Sequence, residues 1–333
     1  MENPQSKLFV ATAGEALIDL IAQPDGSFAP CLGGAVYNLT RALARQSVGT
    51  LYLNPLSQDR FGRQLAAMLL ADGVQLARPQ PVAEVTSLAV VALDAQGVPD
   101  YAFYREGVAD RAVSLAGLLR DCEAATPEIV ATGCLALAPA DGAVYSPWLQ
   151  AQRAAGRLVA VDANLRLSVM PDAGAYRAQV LAALQCADLI KASDEDLAGL
   201  QLPGDGALDK ARQLLARTTA KALLLTLGAE GAMLLLPDGR QWRGHDGAAV
   251  TVVDTVGAGD CFFAGFLTAL LAACDAQATH PLALLASLQA PQARQCLASA
   301  IASASCCVMQ SGCVPPTAAE VAARARGVQI SAA

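Results

Sequence analysis

The sequence is poor in histidine and lacks several short motifs that mark common enzyme classes. Its two histidines, His245 and His280, both fall in predicted loops, which argues against a Ser-His-Asp hydrolase or a multi-histidine metal site. No G-x-x-x-x-G-K-[ST] motif occurs, so a P-loop enzyme is disfavoured. The first predicted strand is not followed by Gly-x-Gly-x-x-Gly, which disfavours a dinucleotide-dependent oxidoreductase.

The ten cysteines include no Cys-x-x-Cys pair, although cysteine itself is not scarce. Most of them fall in alanine-rich helical patterns, where cysteine behaves as a small apolar residue. We therefore expect core positions rather than metal ligands or disulfides.

Basic clusters and long membrane-type segments are also missing from the sequence. The net charge is −7 and no run of Lys or Arg occurs, which argues against a nucleic acid partner. The first twenty residues lack a basic segment followed by an apolar one, so we expect no signal peptide. Apolar runs such as residues 261–274 look too short to cross a bilayer. These features predict a soluble, cytoplasmic protein with no membrane partner.

What the sequence does contain is an alternation of strand and helix patterns over 333 residues, 54% of them apolar. Such alternation predicts a doubly wound α/β fold, with a mostly parallel sheet and helices on both faces. The patterns predict strands at residues 8–13, 158–162, 189–190 and 221–226, and helices at 35–45, 62–71, 171–184 and 194–200.

One region departs from this alternation and predicts a second, smaller sheet. Residues 87–93 and 101–104 alternate as strands do, and Asp94-Ala95-Gln96-Gly97 between them is a hairpin turn signal. Together with residues 18–30 they would form a small β-sheet that covers a ligand site as a lid. We expect one domain over residues 1–333, with lid segments at about 16–32 and 84–112.

The most informative segment is residues 254–260, DTVGAGD. Residues 248–253 before it are β-branched and predict a strand, and the apolar run after it predicts a buried helix. The segment would then be a tight strand-to-helix turn, in which the backbone N–H groups of Gly257, Ala258 and Gly259 suit an anion. Asp260 would lie in the first helical turn. A carboxylate beside a phosphate site suggests a kinase.

Polar residues also follow several other predicted strands. Asp19 follows the first strand, residues 162–166 (DANLR) a middle one, Lys191 and Ser193 the next, and Gly228 the one after. Ligand sites of open parallel sheets lie beyond the carboxyl ends of the strands. A shared cleft therefore explains these positions better than unrelated loops do.

These motifs resemble the ribokinase-like (PfkB-type) carbohydrate kinases, and most closely their fructokinase group. Residues 254–260 match the D-T-x-G-A-G-D signature in full, and residues 33–38 (GGAVYN), with 57–62 (SQDRFG) after them, match the first signature more loosely. Residues 14–19 (GEALID), 103–107 (FYREG), 109–111 (ADR) and 162–166 are fructokinase-like. The resemblance runs from about residue 8 to residue 322.

The resemblance implies a phosphoryl transfer from ATP to a sugar hydroxyl, most simply D-fructose to fructose 6-phosphate. Asp260 would be the base, and Gly257, Ala258 and Gly259 would form an anion hole. A helix start favours a carboxylate, so we expect Asp260 to stay ionised near neutral pH. Other small sugars (2-keto-3-deoxygluconate, ribose or aminoimidazole riboside) remain alternatives, as does a non-catalytic sugar- or nucleotide-binding protein.

The remaining roles implied by the resemblance fall into three groups. Sugar contacts would come from Asp19, Gly33, Gly34, Asn38, Tyr104, Arg105 and Arg166. Nucleotide contacts would come from Lys191, Ser193, Thr226, Gly228, Gly231, Gly257 and Gly259. Mg²⁺ would be reached through water by Asp196, and a monovalent cation such as K⁺ would lie near Asp254. The lid also suggests a homodimer.

Two departures from the family pattern concern the nucleotide side of the site. Ser193 and Asp196 stand where an Asn-x-x-Glu pattern is common, and aspartate is shorter than glutamate by one methylene. Ile301 stands where relatives often have asparagine near the adenine. How this chain holds Mg²⁺ and adenine is therefore open, and so is the role of Arg166, which could instead pair with Asp162.

Overall fold

The computed structural model describes residues 9–23, 25–93 and 99–333. The strands are β1 (Val10–Thr12), β2 (Leu17–Ala22), β3 (Phe28–Gly33), β4 (Thr50–Tyr52), β5 (Gln75–Leu76), β6 (Ser87–Leu93), β7 (Pro99–Tyr104), β8 (Ile129–Gly133), β9 (Leu158–Asp162), β10 (Leu189–Ser193), β11 (Ala222–Thr226), β12 (Ala232–Leu235), β13 (Gln241–Asp246) and β14 (Val328–Ala332). The helices are α1 (Ala35–Arg45), α2 (Arg60–Ala71), α3 (Leu115–Ala125), α4 (Gly142–Ala154), α5 (Ala173–Cys186), α6 (Asp194–Gly199), α7 (Ala207–Ala216), α8 (Ala258–Gln277), α9 (Pro281–Ala286), α10 (Ala290–Val308) and α11 (Ala318–Ala325).

Ten of the strands form one large sheet in the order β14-β13-β12-β11-β10-β9-β8-β1-β4-β5. The seven strands from β11 to β5 pair in parallel, and β12, β13 and β14 add an antiparallel edge. The predicted mostly parallel sheet is confirmed.

Successive residues of the central strands face opposite helical layers, because side chains alternate across a strand. Val10 and Ile129 pack into a core built with α1, α8 and α10. Their neighbours Ala11 and Val130 pack on the other face, in a core built with α3, α4, α5 and α7. Strands buried on both faces explain why the sequence shows continuous apolar runs there rather than alternation.

The second sheet has four strands in the order β3-β2-β6-β7. Its central pair, β2 and β6, is parallel, and the outer pairs are antiparallel. The predicted small sheet is therefore confirmed, whereas the predicted hairpin turn at residues 94–97 lies outside the described residues.

The strand predicted at residues 248–253 is wrong: these residues form an extended loop between β13 and α8. Val252 and Val253 are each 59% exposed. The place beside β13 is taken by β14, which pairs with it from Trp242–Ala332 to Asp246–Val328. The loop is held instead by the Arg324 guanidinium, which donates to the Ala249 carbonyl at 3.0 Å. Strand preference depends on having a surface to pack on, and this segment has none.

Helix α8 is longer than its apolar sequence run. It has 20 residues with a mean hydropathy of 1.4, so among the described residues it is the one helix long and apolar enough to cross a membrane by length and composition. The expectation that the run is too short is therefore wrong. Two-thirds of the apolar window is buried inside the protein, where α8 packs between α1 and α10. Its apolarity is that of a core helix.

We predict that Phe263→Ala destabilises the protein by about 3–5 kcal/mol, because it removes a fully buried aromatic ring from α8 and leaves a cavity. Val252→Ala, in the exposed loop, should change stability by about 0.5 kcal/mol or less. Urea unfolding of both variants measures the difference. Equal effects would contradict the assignment of α8 to the core and of residues 248–253 to the surface.

Candidate active site

The first turn of α8 lies against the carboxyl ends of the central parallel strands. Asp260 lines a small pocket together with Ala35 of α1, Gly133 and Cys134 at the end of β8, and Asp162 at the end of β9. A larger cleft elsewhere, beside Pro315 and Glu320, holds none of the predicted site residues. Asp260 was expected in the first helical turn directly after a strand. It reaches the strand ends from a helix that follows a loop.

Asp260 is held by a side chain from the other end of the chain. The Asn38 side-chain amide donates a hydrogen bond to Asp260 Oδ2 at 3.0 Å, and both residues are buried. The other side-chain atom of Asn38, Oδ1, is buried and has no hydrogen-bond partner in the described part of the chain. Since such a buried acceptor normally finds a donor, it marks a place where a ligand hydroxyl would fit.

A buried ion pair lies beneath Asp260. Asp162 and Lys191 stand opposite each other in register on β9 and β10, and Lys191 Nζ donates to both carboxylate oxygens of Asp162 at 2.8 Å. A Cβ added to Gly259 would come within 3.1 Å of Lys191 Nζ. The lysine, predicted to contact nucleotide, thus lies directly under the glycine turn.

The pKa of Asp260 is raised from 3.8 to about 7. Burial is the main cause, because it disfavours the charged form. The negative charge of Asp162 raises the pKa further, while Lys191, the hydrogen bond from Asn38 and the charge of Arg166 lower it. The expectation that the helix start alone keeps Asp260 ionised near neutral pH is therefore wrong, since burial outweighs the helix dipole.

The glycine turn itself has the backbone shape predicted for it. Gly257 has a φ of +77° and begins α8, a conformation that costs glycine little. The N–H groups of Gly259 and Asp260 lie in the first helical turn, where they have no intrahelical partner. The Ala258 N–H is partly engaged, since it donates to the Thr255 carbonyl at 3.2 Å.

Asp254 fixes the loop that leads into this turn. Its carboxylate accepts hydrogen bonds from Val256 N at 3.0 Å and from Gly312 N at 2.9 Å. Both oxygens thus connect the start of α8 to the loop after α10.

Asp19, Gly33 and Arg166 lie close together on the side of the small sheet. A Cβ on Gly33 would come within 2.1 Å of Asp19 Oδ2, so only glycine leaves room for this carboxylate. Burial raises the pKa of Asp19 to about 6, and the charge of Arg166 lowers it. Because Arg166 also lowers the pKa of Asp260, its charge acts on both carboxylates.

Arg166 does not form an ion pair with Asp162, since Asp162 pairs with Lys191. The Arg166 guanidinium donates instead to Asn164 Oδ1 at 2.7 Å. The interpretation of Arg166 as a partner of Asp162 is therefore wrong.

Two other predicted sugar contacts lie in different settings. Arg105 is buried, with its guanidinium 3.1 Å from Asp110 and 3.7 Å from Asp141, and it donates to the Leu135 carbonyl at 3.2 Å. This network connects the end of β7 to the main body. Tyr104, by contrast, is 61% exposed at the end of β7.

On the nucleotide side, Ser193 and Asp196 form the cap of α6. Ser193 Oγ accepts from Asp196 N at 3.0 Å, and Asp196 Oδ2 accepts from Ser193 N at 2.8 Å. The second oxygen of Asp196 accepts from Leu165 N at 2.7 Å. Both oxygens of Asp196 are therefore engaged with the backbone.

Thr226 ends β11, and Gly228 and Gly231 bound the turn after it with φ values of +55° and +90°. Ile301 lies inside α10, where it is 5% exposed and packs in the core. Its side chain is apolar and has no group that could donate or accept a hydrogen bond.

Sequence reasoning gave Glu15 no role, although it belongs to the segment GEALID. Glu15 is buried, and its Oε1 accepts from Ala35 N at 2.9 Å, which fixes the start of α1. Burial raises its pKa to about 7, while the charge of Arg105 lowers it. Its place directly after the first strand was the available signal. Asp162 was noted at a strand end, but its register with Lys191 could not be seen without the sheet.

Comparison with known protein families gives a match over nearly the whole chain. The model of the pfkB family carbohydrate kinases matches residues 7–319. A fructokinase of Rhizobium leguminosarum bv. trifolii is 34% identical over 269 residues, which cover 78% of this chain and 79% of the relative.

Solved structures give the same result. A Xylella fastidiosa fructokinase with bound ATP has a TM-score of 0.82 at 26% identity, covering 96% of this chain and 98% of its own. A Vibrio cholerae O395 fructokinase, solved with fructose, ADP and a calcium ion, has a TM-score of 0.76 at 25% identity, covering 96% and 99%.

The fold and the family match define a carbohydrate kinase. The chain belongs to the pfkB family of carbohydrate kinases, and curated proteins similar to it are named fructokinases. The family resemblance that the sequence motifs carry is thereby confirmed.

We predict that Asp260→Asn raises the midpoint of thermal unfolding by a few degrees at pH 8 and by clearly less at pH 5. The pKa of Asp260 in the folded protein, about 7, exceeds the ordinary aspartate value of 3.8, so the stability of the wild-type protein falls as pH rises between those values. Asparagine does not ionise, so the variant does not lose this stability as pH rises. Asp275→Asn, exposed on the same helix, controls for removal of a surface charge. Equal shifts at both pH values would contradict a raised pKa of the buried Asp260 carboxyl.

Proposed function

We propose that this carbohydrate kinase transfers the γ-phosphate of ATP to the 6-hydroxyl of D-fructose, with Asp260 as the base. The observation that carries the proposal is the buried Asn38–Asp260 pair at the start of α8. Fructose is the first choice because the relatives are fructokinases, and the V. cholerae enzyme holds fructose and ADP.

The base role of Asp260 rests on its pKa and its orientation. A general base works best with a pKa near the operating pH, and burial brings that of Asp260 to about 7. As the sugar oxygen attacks the γ-phosphorus, its proton passes to Asp260, the bond from phosphorus to the ADP oxygen breaks, and the electron pair leaves with ADP. Asn38 holds the carboxylate and offers its free Oδ1 to a sugar hydroxyl.

Charge on the transferred phosphoryl group would be stabilised by the start of α8. The N–H groups of Gly259 and Asp260 are free of intrahelical bonds, and the helix dipole adds positive potential. Gly257 and Ala258 shape the turn. Positioning and charge stabilisation are the main requirements of phosphoryl transfer.

The sugar would lie between Asn38, Asp19 and Arg166, with Gly33 and Gly34 leaving room for it. Asp19 is half-buried and close to Gly33, so its carboxylate suits a pair of sugar hydroxyls. Arg105 is occupied by Asp110, and we therefore assign it to holding the small sheet beside the site. Tyr104, which is exposed, would contact sugar when the small sheet closes as a lid.

ATP would bind over the carboxyl ends of β10 and β11. Thr226, Gly228 and Gly231 would lie near the ribose and phosphates. Lys191, with Ser193 nearby, would support the turn from below as a member of the ion pair with Asp162. Mg²⁺ would arrive with ATP, and Asp196 would reach it only through water because both its oxygens accept backbone N–H groups. A K⁺ ion near Asp254 would need to share a carboxylate already bound to two N–H groups.

A homodimer through the small sheet and a cytoplasmic location complete the proposal. The edge strand β3 begins at Phe28, which is 49% exposed. An exposed aromatic side chain at this edge suits a contact between lids.

The function is tested by ADP release with ATP and Mg²⁺ across fructose, ribose, 2-keto-3-deoxygluconate, tagatose and aminoimidazole riboside. Saturable turnover on fructose alone supports the proposal. Turnover on another sugar alone replaces the substrate. No turnover on any of these sugars, with ATP still bound, favours a non-catalytic binding protein.

In the same assay, Asp260→Asn should lower kcat by at least about a hundredfold, the usual contribution of a general base, while ATP affinity changes little. Asp275→Asn, on the exposed far end of α8, is the matched control and should keep wild-type turnover. Near-normal turnover of Asp260→Asn would rule out Asp260 as the base.

A further inference from the structure

Three cysteines that are distant in sequence meet behind the glycine turn. Cys261 follows Asp260 on α8, Cys307 is near the end of α10, and Cys313 lies in the loop after it. Their Sγ atoms all lie within 4.8 Å of one another. Cys261 and Cys307 are buried, and Cys313 is partly exposed. The packing of α10 on α8 creates this cluster.

The spacing of the sulfurs is close to that of a metal site. Three thiolates bound to one ion at about 2.3 Å lie about 3.8–4.0 Å apart in tetrahedral or trigonal geometry. Each sulfur would therefore move by less than about 1 Å to bind such an ion. Thiolate ligands select soft ions over Mg²⁺, which prefers oxygen. The cluster is thus chemically distinct from the nucleotide's own metal site.

We propose that Cys261, Cys307 and Cys313 bind one soft, thiophilic metal ion, such as Zn²⁺ or Cd²⁺, and that binding inhibits the kinase. On binding, the three thiols release three protons to solvent and form three metal–sulfur bonds. The partly exposed Cys313 gives the ion its entry from solvent, and a water takes the fourth position of a tetrahedral site.

The inhibition follows from the position of the three sulfurs against the glycine turn that begins α8. A Cβ added to Gly257 would lie 2.2 Å from Cys313 Sγ, so this sulfur packs against the glycine turn. Cys307 Sγ lies 3.5 Å from the Val256 carbonyl just before the turn. Cys261 is the residue after Asp260 in the chain. Drawing the three sulfurs together around an ion therefore displaces the backbone N–H groups of the glycine turn and the carboxylate of Asp260. This half of the proposal rests on the function proposed above, whereas metal binding does not.

The test titrates the reduced, metal-free full-length protein with Cd²⁺ and follows thiolate-to-metal charge-transfer absorbance. We expect one Cd²⁺ per chain. Cys313→Ser and Cys307→Ala should each weaken binding at least tenfold. Cys306→Ser is the matched control, because it changes the neighbouring residue of α10, whose thiol faces the Glu320 carbonyl at 4.0 Å. Thermal unfolding verifies that each variant is folded. Since Cys313 is partly exposed, its variant tests the site even where Cys307→Ala does not fold.

Three results would overturn the metal site: no absorbance band, wild-type Cd²⁺ affinity in Cys313→Ser, or an equal loss of Cd²⁺ affinity in Cys306→Ser. Activity is measured on the same samples: Cd²⁺ should inhibit wild type and Cys306→Ser but not Cys313→Ser. Binding without inhibition would overturn the coupling alone. A chain with no kinase activity in any condition would refute the proposed function while leaving the binding result readable.

Discussion

The hydrogen bond from Asn38 to Asp260 is the contact on which the candidate site depends. It connects the first turns of α1 and α8, which are separated by 222 positions in the chain. Glu15 fixes the start of α1 from one side, and the loop held by Asp254 fixes the start of α8 from the other. A buried carboxylate can point at a substrate only if its partner is fixed as well, so these three contacts act together.

Burial determines the electrostatics of the site more than the helix dipole does. Asp260 and Glu15 both have pKa values raised to about 7, and burial is the largest cause for each. Asp162 is equally buried but is neutralised by two short bonds from Lys191. Asp260 lacks a full counter-ion, whereas Asp162 has one in Lys191. Asp260 is therefore suited to accept a proton, while Asp162 belongs to a structural ion pair.

The sequence motifs predicted the layers, the small sheet and most of the segments that meet at the site. The alternation of strand and helix patterns reports local packing, which explains why β9 and α1 were found at their observed bounds. The strand predicted at 248–253 failed because its β-branched residues meet no neighbouring strand. The thiol cluster was not foreseen, since residues 261, 307 and 313 are brought together only by tertiary packing. The pKa of Asp260 was likewise misjudged, because burial cannot be read from a helix start.

The central claim is that Asp260 acts as a base with a pKa near 7, and the pH dependence of kcat/KM for the sugar tests it most directly. Only the ionised carboxylate can accept the proton, so kcat/KM should fall about tenfold per pH unit below pH 7 and level off above it. ATP affinity measured over the same pH range separates this effect from nucleotide binding. A kcat/KM that stays constant from pH 8 down to pH 5 would contradict the account.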